Sequence, residues 1–163
     1  MKVKLLLSLV AVTLTTVIFL VNQPNKPAPN VTFSTIFGEK IELSKLKGNP
    51  VIVTFWATDC AGCIEEIPHL IKLYQQFHPR GLEIIAIAMY YDPPNHVVEM
   101  TKAKQIPYYV ALDLKAEHAF AFGQVELTPA TFLISPAGNI ILQKTGLFDL
   151  PKMQQQIHNL ITG

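Results

Sequence analysis

The stretch Val51-Ile52-Val53-Thr54-Phe55-Trp56, continued by Ala57-Thr58-Asp59-Cys60-Ala61-Gly62-Cys63, determines how the rest of this chain is interpreted. A short run of apolar, β-favouring residues is typical of a strand that is buried on both faces of a parallel sheet. Residues 61–77 then carry apolar side chains at helical spacing and predict a helix. Two cysteines therefore lie where a buried strand ends and a helix begins.

The segments around this strand–helix unit predict an α/β domain. Residues 82–89 read as a second buried strand, so strand, helix and strand form a βαβ unit with parallel pairing and a right-handed crossover. A short hairpin is predicted upstream from residues 31–33 and 40–43. The other predicted elements are three helices and three strands, over residues 95–105, 115–122 and 150–161, and over 108–112, 131–135 and 139–144.

Composition and charge exclude several classes of protein. The 163 residues suit one domain, and 13 Lys+Arg against 12 Asp+Glu leave a net charge of +1. A nucleic-acid partner is not expected, because such proteins carry a strongly basic stripe. Only 15% of the residues are charged, which excludes a highly charged disordered chain. Two cysteines are too few for a disulfide scaffold or an all-cysteine zinc site.

The excess of apolar residues lies at the N-terminus. Lys2 and Lys4 precede residues 5–21, which carry no charge, and a helix of that length would be about 25 Å long, near the lower limit for crossing a bilayer. The basic side marks the cytoplasmic end. We therefore expect residues 1–21 to be an uncleaved signal anchor that spans the membrane. A cleaved signal peptide and a buried soluble helix are the alternatives.

The residues after the predicted anchor divide into two parts. Residues 22–30 contain three prolines among polar residues and predict an extended tether. The folded domain is then expected over residues 31–163. Because the anchor starts in the cytoplasm, this domain would face the opposite side of the membrane.

Cys60 and Cys63 have the spacing of a reversible disulfide, since Cα atoms three residues apart in a helical turn lie roughly 5–6 Å apart. The free N–H groups and positive dipole of the helix N-terminus stabilise a thiolate at Cys60. Cys60 would be the exposed nucleophile and Cys63 the resolving thiol. A purely structural bridge closing so short a loop contributes only about 2 kcal/mol. A metal site would need two further ligands, and only His69 and His78 are near in sequence, so we expect no metal and no cofactor.

These residues resemble a known family. A strand ending in Phe-Trp-Ala-Thr, then Cys-x-x-Cys at a helix start with Pro68 five residues beyond the second cysteine, is similar to thioredoxin. The pattern resembles more closely the membrane-anchored TlpA/ResA-like thiol–disulfide oxidoreductases of bacteria, with further matches over residues 43–50, 63–68 and 128–134. The resemblance implies a thioredoxin fold, a central mixed sheet flanked by helices, with an N-terminal β-hairpin and an inserted αβ segment. It also implies one transmembrane helix in the bacterial inner membrane and a domain on the periplasmic or extracytoplasmic side.

The resemblance also implies roles for individual residues. Thr128 and Pro129 correspond to a cis-proline loop that faces the cysteines and offers backbone hydrogen bonds to an incoming peptide; an ordinary trans proline is the alternative. Glu66 matches a glutamate that moves protons for the buried cysteine, and a solvated helix glutamate is the alternative. The buried aspartate of thioredoxin corresponds to Thr54, which cannot move protons in that way. Trp56 is expected to form a wall beneath the site, on the substrate-binding side, and to contribute equally to the core.

Asp59 bears on the direction of electron flow. The family commonly has tryptophan at this position, whereas a carboxylate beside Cys60, with Glu66 nearby, opposes thiolate formation. Strong oxidants of this kind owe their strength to a stabilised reduced form, so we expect a reductant, with Asp59 also at the substrate-binding surface. Alternatively, Asp59 caps the helix and contributes about 1 kcal/mol of stability; both can hold.

The function implied is an extracytoplasmic protein-disulfide reductase that acts by exchange at Cys60 and Cys63. Its implied partners are protein disulfides, including apocytochrome c if the protein serves cytochrome c maturation, and a membrane electron donor of the DsbD/CcdA type. A periplasmic thiol oxidase or isomerase is one alternative. A non-catalytic copper-handling or chaperone module on the same fold is the other, although the chain lacks a methionine-rich run.

Overall fold

A computed structural model describes residues 26–163 of the chain. The predicted anchor and the first residues of the predicted tether lie outside this range. Within the range, none of the helices combines the length and the apolarity that crossing a membrane requires.

The described residues form one six-stranded mixed sheet and one separate hairpin. In chain order the strands are β1 (Lys26–Pro27), β2 (Thr32–Ser34), β3 (Lys40–Glu42), β4 (Val51–Trp56), β5 (Glu83–Ala88), β6 (Tyr109–Leu112), β7 (Ala130–Ile134) and β8 (Asn139–Thr145). The order across the sheet is β1-β8-β7-β4-β5-β6. Strands β4, β5 and β6 are parallel, whereas β7 runs antiparallel to both β4 and β8. The predicted central mixed sheet is confirmed.

The described part of the chain has four α-helices, of which the first three connect strands and the fourth follows β8. They are α1 (Ala61–Phe77), α2 (Pro94–Ala103), α3 (Glu117–Ala121) and α4 (Leu150–Thr162), with 3-10 turns at Leu43–Leu46 and His78–Arg80. Helix α1 continues through Pro68 to its predicted end. Helix α3 is shorter than predicted, because the Asp113 carboxylate accepts the N–H groups of His118 and Ala119 at 3.0 and 2.8 Å and closes the chain into a loop before the helix begins.

Strand β4 lies at the centre of the core, and all its side chains are buried. Because successive side chains point to opposite faces, Ile52 and Trp56 pack with α1 and α4 on one face of the sheet. Val53 and Phe55 pack on the other face, where the hairpin contributes Phe33. The prediction of a strand buried on both faces is confirmed.

The N-terminal hairpin is also confirmed, since β2 and β3 pair antiparallel. An antiparallel bridge between Thr35 and Ala111 joins the hairpin to β6. Upstream of it, Lys26 and Pro27 pair with β8, and Ala28 N–H donates to Gly138 O at 2.9 Å. Lys26 and Pro27, which were assigned to the tether, therefore belong to the sheet, at an edge position where a proline is tolerated.

The topology brings several loops to one edge of the sheet. Trp56 pairs with Ala88 in the parallel β4–β5 ladder, so the chain leaves both strands at the same edge. Phe55 pairs with Ala130 in the antiparallel β4–β7 ladder, so the chain enters β7 at that edge as well. The cysteines, the β5–α2 loop and the segment before β7 are therefore neighbours.

Candidate active site

The two cysteines form a disulfide at the start of α1, with their Cα atoms 5.2 Å apart. Cys60 has an extended backbone and is the N-cap of the helix, and its sulfur accepts the Cys63 N–H at 3.2 Å. Cys60 is partly exposed, whereas Cys63 is buried. Cys60 is therefore the sulfur that a substrate can reach.

Asp59 lies just outside the helix and is exposed. The alternative that Asp59 caps α1 is wrong, since the Cys60 sulfur supplies the capping acceptor instead. The Asp59 carboxylate thus stays in solvent, one residue before the reactive sulfur, where its charge acts on Cys60 through a high dielectric.

The segment before β7 lies against the disulfide. The Thr128–Pro129 peptide bond is cis, as predicted. A Cβ atom on Gly62 would lie 3.4 Å from Pro129 Cδ, so the glycine between the cysteines allows this close approach. The Pro129 carbonyl accepts the Gly146 N–H at 2.8 Å, whereas among residues 26–163 no backbone hydrogen bond engages Thr128. The N–H and C=O of Thr128 are thus left without a backbone partner within the described residues, next to the proline that packs against Gly62.

Glu66 lies one helical turn after Cys63 and is only 1% exposed. The Phe148 N–H donates to its Oε1 at 3.3 Å and the Thr131 hydroxyl donates to its Oε2 at 3.2 Å. Burial raises the pKa of Glu66 to about 7 and outweighs these two hydrogen bonds, which lower it. The alternative of a solvated helix glutamate is therefore wrong.

A pair of buried hydroxyls supports the Glu66 carboxyl. Thr54 Oγ1 and Thr131 Oγ1 are 2.9 Å apart, and either one can be the donor. Thr54 therefore supports Thr131, the hydrogen-bond partner of Glu66.

Cys63 and Glu66 line the same small cavity, of about 10 Å³. That volume is close to the minimum needed by a single water molecule. Trp56 is buried and forms part of the cavity wall, and its Nε1–H has no protein partner within the described residues. Burial, with a smaller contribution from Glu66, raises the pKa of Tyr108 on another wall. The cavity therefore brings the buried cysteine and the buried carboxyl together at one place in the core.

One further residue of the site was missed by the sequence reasoning. Asp92, in the β5–α2 loop, is buried, and its carboxylate accepts the Thr58 N–H at 2.7 Å and the Thr58 hydroxyl at 2.6 Å. Thr58 lies two residues before Cys60, so these bonds hold the reactive loop against the β5–α2 loop. The sequence feature that could have identified Asp92 is its position as an acidic residue just after a buried strand, β5, that lies parallel to β4.

A helix-capping disulfide, a cis-proline loop packed against it and a central mixed sheet flanked by helices define a thiol–disulfide oxidoreductase of the thioredoxin class. Within the described residues, no three His, Cys, Asp or Glu side chains come together as a metal site.

Comparison with known proteins identifies the family. The AhpC/TSA family model matches residues 24–143. The thiol-disulfide oxidoreductase ResA of Bacillus thuringiensis subsp. konkukian is 34% identical over 122 residues, covering 74% of this chain and 69% of the relative. ResA of Bacillus subtilis is 34% identical over 119 residues, covering 73% of this chain and 65% of the relative. The chain belongs to the AhpC/TSA family and, with these relatives, to the ResA-type thiol–disulfide oxidoreductases.

A solved structure agrees with this assignment. The thiol:disulfide interchange protein of the thioredoxin family from Chlorobium tepidum superimposes with a TM-score of 0.78 at 26% sequence identity. The match covers 86% of this chain and 99% of that one. The protein is therefore a protein thiol–disulfide oxidoreductase whose reactive pair is Cys60 and Cys63.

Proposed function

We propose that the protein is a membrane-anchored, extracytoplasmic protein-disulfide reductase in which Glu66 accepts the proton of Cys63. The observation that carries the proposal is the small cavity shared by Cys63 and Glu66, both of which are buried. A buried thiol cannot pass its proton directly to solvent, and the carboxyl beside it has a pKa near neutrality. A general base is most effective when its pKa lies near the working pH.

Two exchange steps transfer two electrons to the substrate. The Cys60 thiolate attacks one sulfur of the substrate disulfide, forms a mixed disulfide and releases the other substrate sulfur as a thiolate. Cys63 then gives its proton to Glu66 and attacks the Cys60 sulfur. This second step releases the remaining substrate thiolate and leaves the Cys60–Cys63 disulfide, so the substrate is reduced and the protein is oxidised.

The charges around the disulfide favour the reducing direction. Asp59 is an exposed carboxylate beside Cys60, and Glu66 is a buried carboxyl beside Cys63. The Asp59 charge disfavours a thiolate at Cys60, and Glu66 disfavours one at Cys63 when it is ionised, whereas strongly oxidising members of the class have a stabilised reduced form. The chain between the cysteines, Ala61-Gly62, adds no charge that would compensate.

The proposed location follows from residues 5–21 as an anchor in the bacterial inner membrane. Outside the cytoplasm the oxidised pair needs a membrane electron donor, of the DsbD/CcdA type, to become reduced again. Apocytochrome c is one candidate substrate, through a role in cytochrome c maturation. Protease added to intact spheroplasts should degrade the domain; protection until the cells are lysed would contradict this location.

Trapping in cells tests the exchange mechanism. The Cys63→Ala variant retains the attacking sulfur and loses the resolving one, so it should accumulate mixed disulfides through Cys60. The double variant Cys60→Ala/Cys63→Ala is the control and should capture none. Mass spectrometry of the captured proteins would name the substrate, and failure of the single variant to form adducts would overturn the mechanism.

Two measurements separate the alternatives. Catalysed reduction of insulin distinguishes an exchange enzyme from a non-catalytic copper-handling or chaperone module. A glutathione redox titration gives the direction: we expect a potential nearer that of thioredoxin, about −270 mV, than that of a strong oxidase. A potential above about −180 mV would favour the oxidase or isomerase alternative instead.

A further inference from the structure

The turn that joins β4 to α1 is held at one point between its ends. In this turn, residues 57–60, the Cys60 N–H donates to Ala57 O at 3.3 Å, and the side chain of Asp59 is exposed. Among residues 26–163, the turn is hydrogen-bonded to a distant part of the chain through Thr58 alone, which bonds Asp92. The position of the turn between its ends therefore depends on this one contact.

Asp92 holds Thr58 with both oxygens of its carboxylate. Oδ2 accepts the Thr58 N–H at 2.7 Å, and Oδ1 accepts the Thr58 hydroxyl at 2.6 Å. Hydrogen bonds to an ionised acceptor are roughly twice as strong as those between neutral groups. Asp92 is only 5% exposed, so water competes little for either oxygen. We call this pair of hydrogen bonds the Thr58 clamp.

The Asp92 side of the Thr58 clamp is fixed to the ends of two strands. The Asp92 N–H donates to Met89 O at 3.0 Å, and the Met89 N–H donates to Trp56 O at 3.0 Å. Trp56 and Ala88 are partners at the end of the parallel β4–β5 ladder. The carboxylate therefore has a fixed position relative to the end of β4, and it holds Thr58 two residues beyond that end.

The position of Thr58 bears on the sulfur of Cys60, two residues later. Cys60 is the N-cap of α1, with φ −89° and ψ 105°, and its sulfur accepts the Cys63 N–H at 3.2 Å. An N-cap side chain reaches the N–H groups of the first turn from this extended conformation. In the reduced protein, a donor to the Cys60 sulfur favours the thiolate over the thiol. A turn that moved away from α1 would lose this donor.

The charged groups near Cys60 come from two elements. Asp59 is exposed on the same turn, and Asp92 is buried on the β5–α2 loop. Residues 128–129, which pack beside the disulfide, carry no charge. Glu66, on α1, lines the cavity beside Cys63. The buried charge on the Cys60 side is therefore that of Asp92.

The charge of Asp92 is balanced by Thr58. Within the part of the chain that the structure describes, Asp92 takes part in no salt bridge, and both hydrogen bonds to its carboxylate come from Thr58. Loss of the hydroxyl donor would leave more of this negative charge uncompensated, which opposes a thiolate at Cys60. Opening the Thr58 clamp therefore disfavours the thiolate in two ways, through the lost capping contact and through the charge.

We propose that Asp92 is a positioning residue for thiol–disulfide exchange, which acts through the Thr58 clamp to keep Cys60 in its capping position and its thiolate available for attack. The proposal concerns the attacking sulfur and holds for either direction of electron flow. It therefore does not depend on whether the protein acts as a reductase.

Alkylation of Cys60 tests the role of the Thr58 clamp. In Cys63→Ala, Cys60 is the only thiol of the chain, and residue 63 keeps the N–H that bonds its sulfur. The rate constant with iodoacetamide, measured against pH on the full chain in detergent micelles, follows the fraction of thiolate. Adding Thr58→Val, which removes the hydroxyl and keeps the shape, should shift this profile to higher pH. At pH 7 the rate constant should fall about twofold to tenfold, the range expected for one hydrogen bond.

Two controls, each added to Cys63→Ala, separate reactivity from stability. Thr58→Ser keeps the hydroxyl and should restore most of the rate that valine loses. Thr101 is also a buried threonine, and its hydroxyl donates to Val97 O at 2.7 Å within α2. Thr101→Val should lower the free energy of unfolding and leave the alkylation profile unchanged. An equal shift in Thr101→Val, or no shift in Thr58→Val, would overturn the proposal; Thr58→Ala gives the same comparison should valine prevent folding.

A double-mutant cycle shows whether Thr58 acts through Asp92. If the carboxylate is its partner, Thr58→Val should cause no further shift in a chain that already carries Asp92→Ala. The same shift in both backgrounds would overturn the role of Asp92, because Thr58 would then act through another contact.

Reaction with oxidised glutathione measures the consequence for exchange. The rate constant of the reduced protein, with both cysteines present, should fall in Thr58→Val by the same factor as alkylation. An unchanged rate constant would overturn the proposal. If the unaltered protein fails to reduce insulin while the alkylation shift is present, the reductase proposal fails and the positioning role of Asp92 stands.

Discussion

Replacing Glu66 by glutamine should remove a pH-dependent loss of stability. The side chain of Glu66 is buried beside Cys63, and its pKa is raised from 4.5 to about 7. Glutamine keeps the shape and is neutral at every pH. The site accommodates its NH₂ group, because Thr131 can accept from it and turn its own hydroxyl hydrogen toward Thr54.

The direction and magnitude of this loss of stability follow from the difference between the pKa of Glu66 in the folded chain and its pKa in the unfolded chain. Below pH 4.5 Glu66 is protonated in both states and has no effect. Between pH 4.5 and about 7 the unfolded chain releases the proton and the folded chain retains it, so stability falls as the pH rises. At about 1.4 kcal/mol for each pKa unit, the loss approaches 3 kcal/mol above pH 7, and it should be absent in Glu66→Gln.

Urea unfolding of the oxidised domain at pH 4.5 and pH 8, followed through the single tryptophan, measures this effect. The quantity to compare is the free energy of unfolding of Glu66→Gln minus that of the unaltered protein. It should be higher at pH 8 by about 3 kcal/mol, and contributions from the histidines cancel in it. Glu65→Gln, at the exposed neighbouring residue, should show no such change. A difference for Glu66→Gln that is the same at both pH values would refute the reasoning.

Three further predictions concern other parts of the site and the core. Asp59→Asn should raise the redox potential by on the order of 10 mV in a glutathione titration, because it removes an exposed negative charge beside Cys60. Asp92→Ala should lower the free energy of unfolding by about 1–3 kcal/mol, since it leaves the Thr58 N–H without its acceptor, and Asp92→Asn should cost less. Phe132→Ala should cost about 3–5 kcal/mol in urea unfolding, because this fully buried ring packs against two other phenylalanines.

The parts of the molecule that sequence predicted are those determined by local pattern. Strand β4 is a continuous apolar run and α1 has helical spacing, so the junction that holds Cys60 and Cys63 could be located before the structure was known. The cis Thr128–Pro129 bond came from resemblance to a family. Strand β1, by contrast, has two residues without any apolar periodicity, so it was assigned to the tether.

The contacts that give the site its chemistry join residues far apart in the chain. The Glu66 carboxyl accepts hydrogen bonds from Thr131, 65 residues later, and from Phe148, 82 residues later. Asp92 and Thr58 are 34 residues apart. Sequence spacing within α1 indicated that Glu66 follows Cys63 by one turn, but only the packing of α1 against β7 and the residues after β8 determines that this carboxyl is buried.

In the proposed mechanism, the burial of Glu66 links the stability of the fold to its activity. An ordinary thiol has a pKa of about 8.5, so a solvated glutamate with a pKa of 4.5 is a base roughly four units too weak to accept its proton. A pKa of about 7 reduces that mismatch to about 1.5 units, and the carboxyl lines the same cavity as the buried Cys63. In the proposed mechanism, the same desolvation that destabilises the folded chain above neutral pH makes Glu66 a usable base. Glu66→Gln should therefore be more stable than the unaltered protein at pH 8, and it should be slower in the step that resolves the mixed disulfide. If the variant gained this stability and still resolved the mixed disulfide at the unaltered rate, the proton of Cys63 would leave by another route.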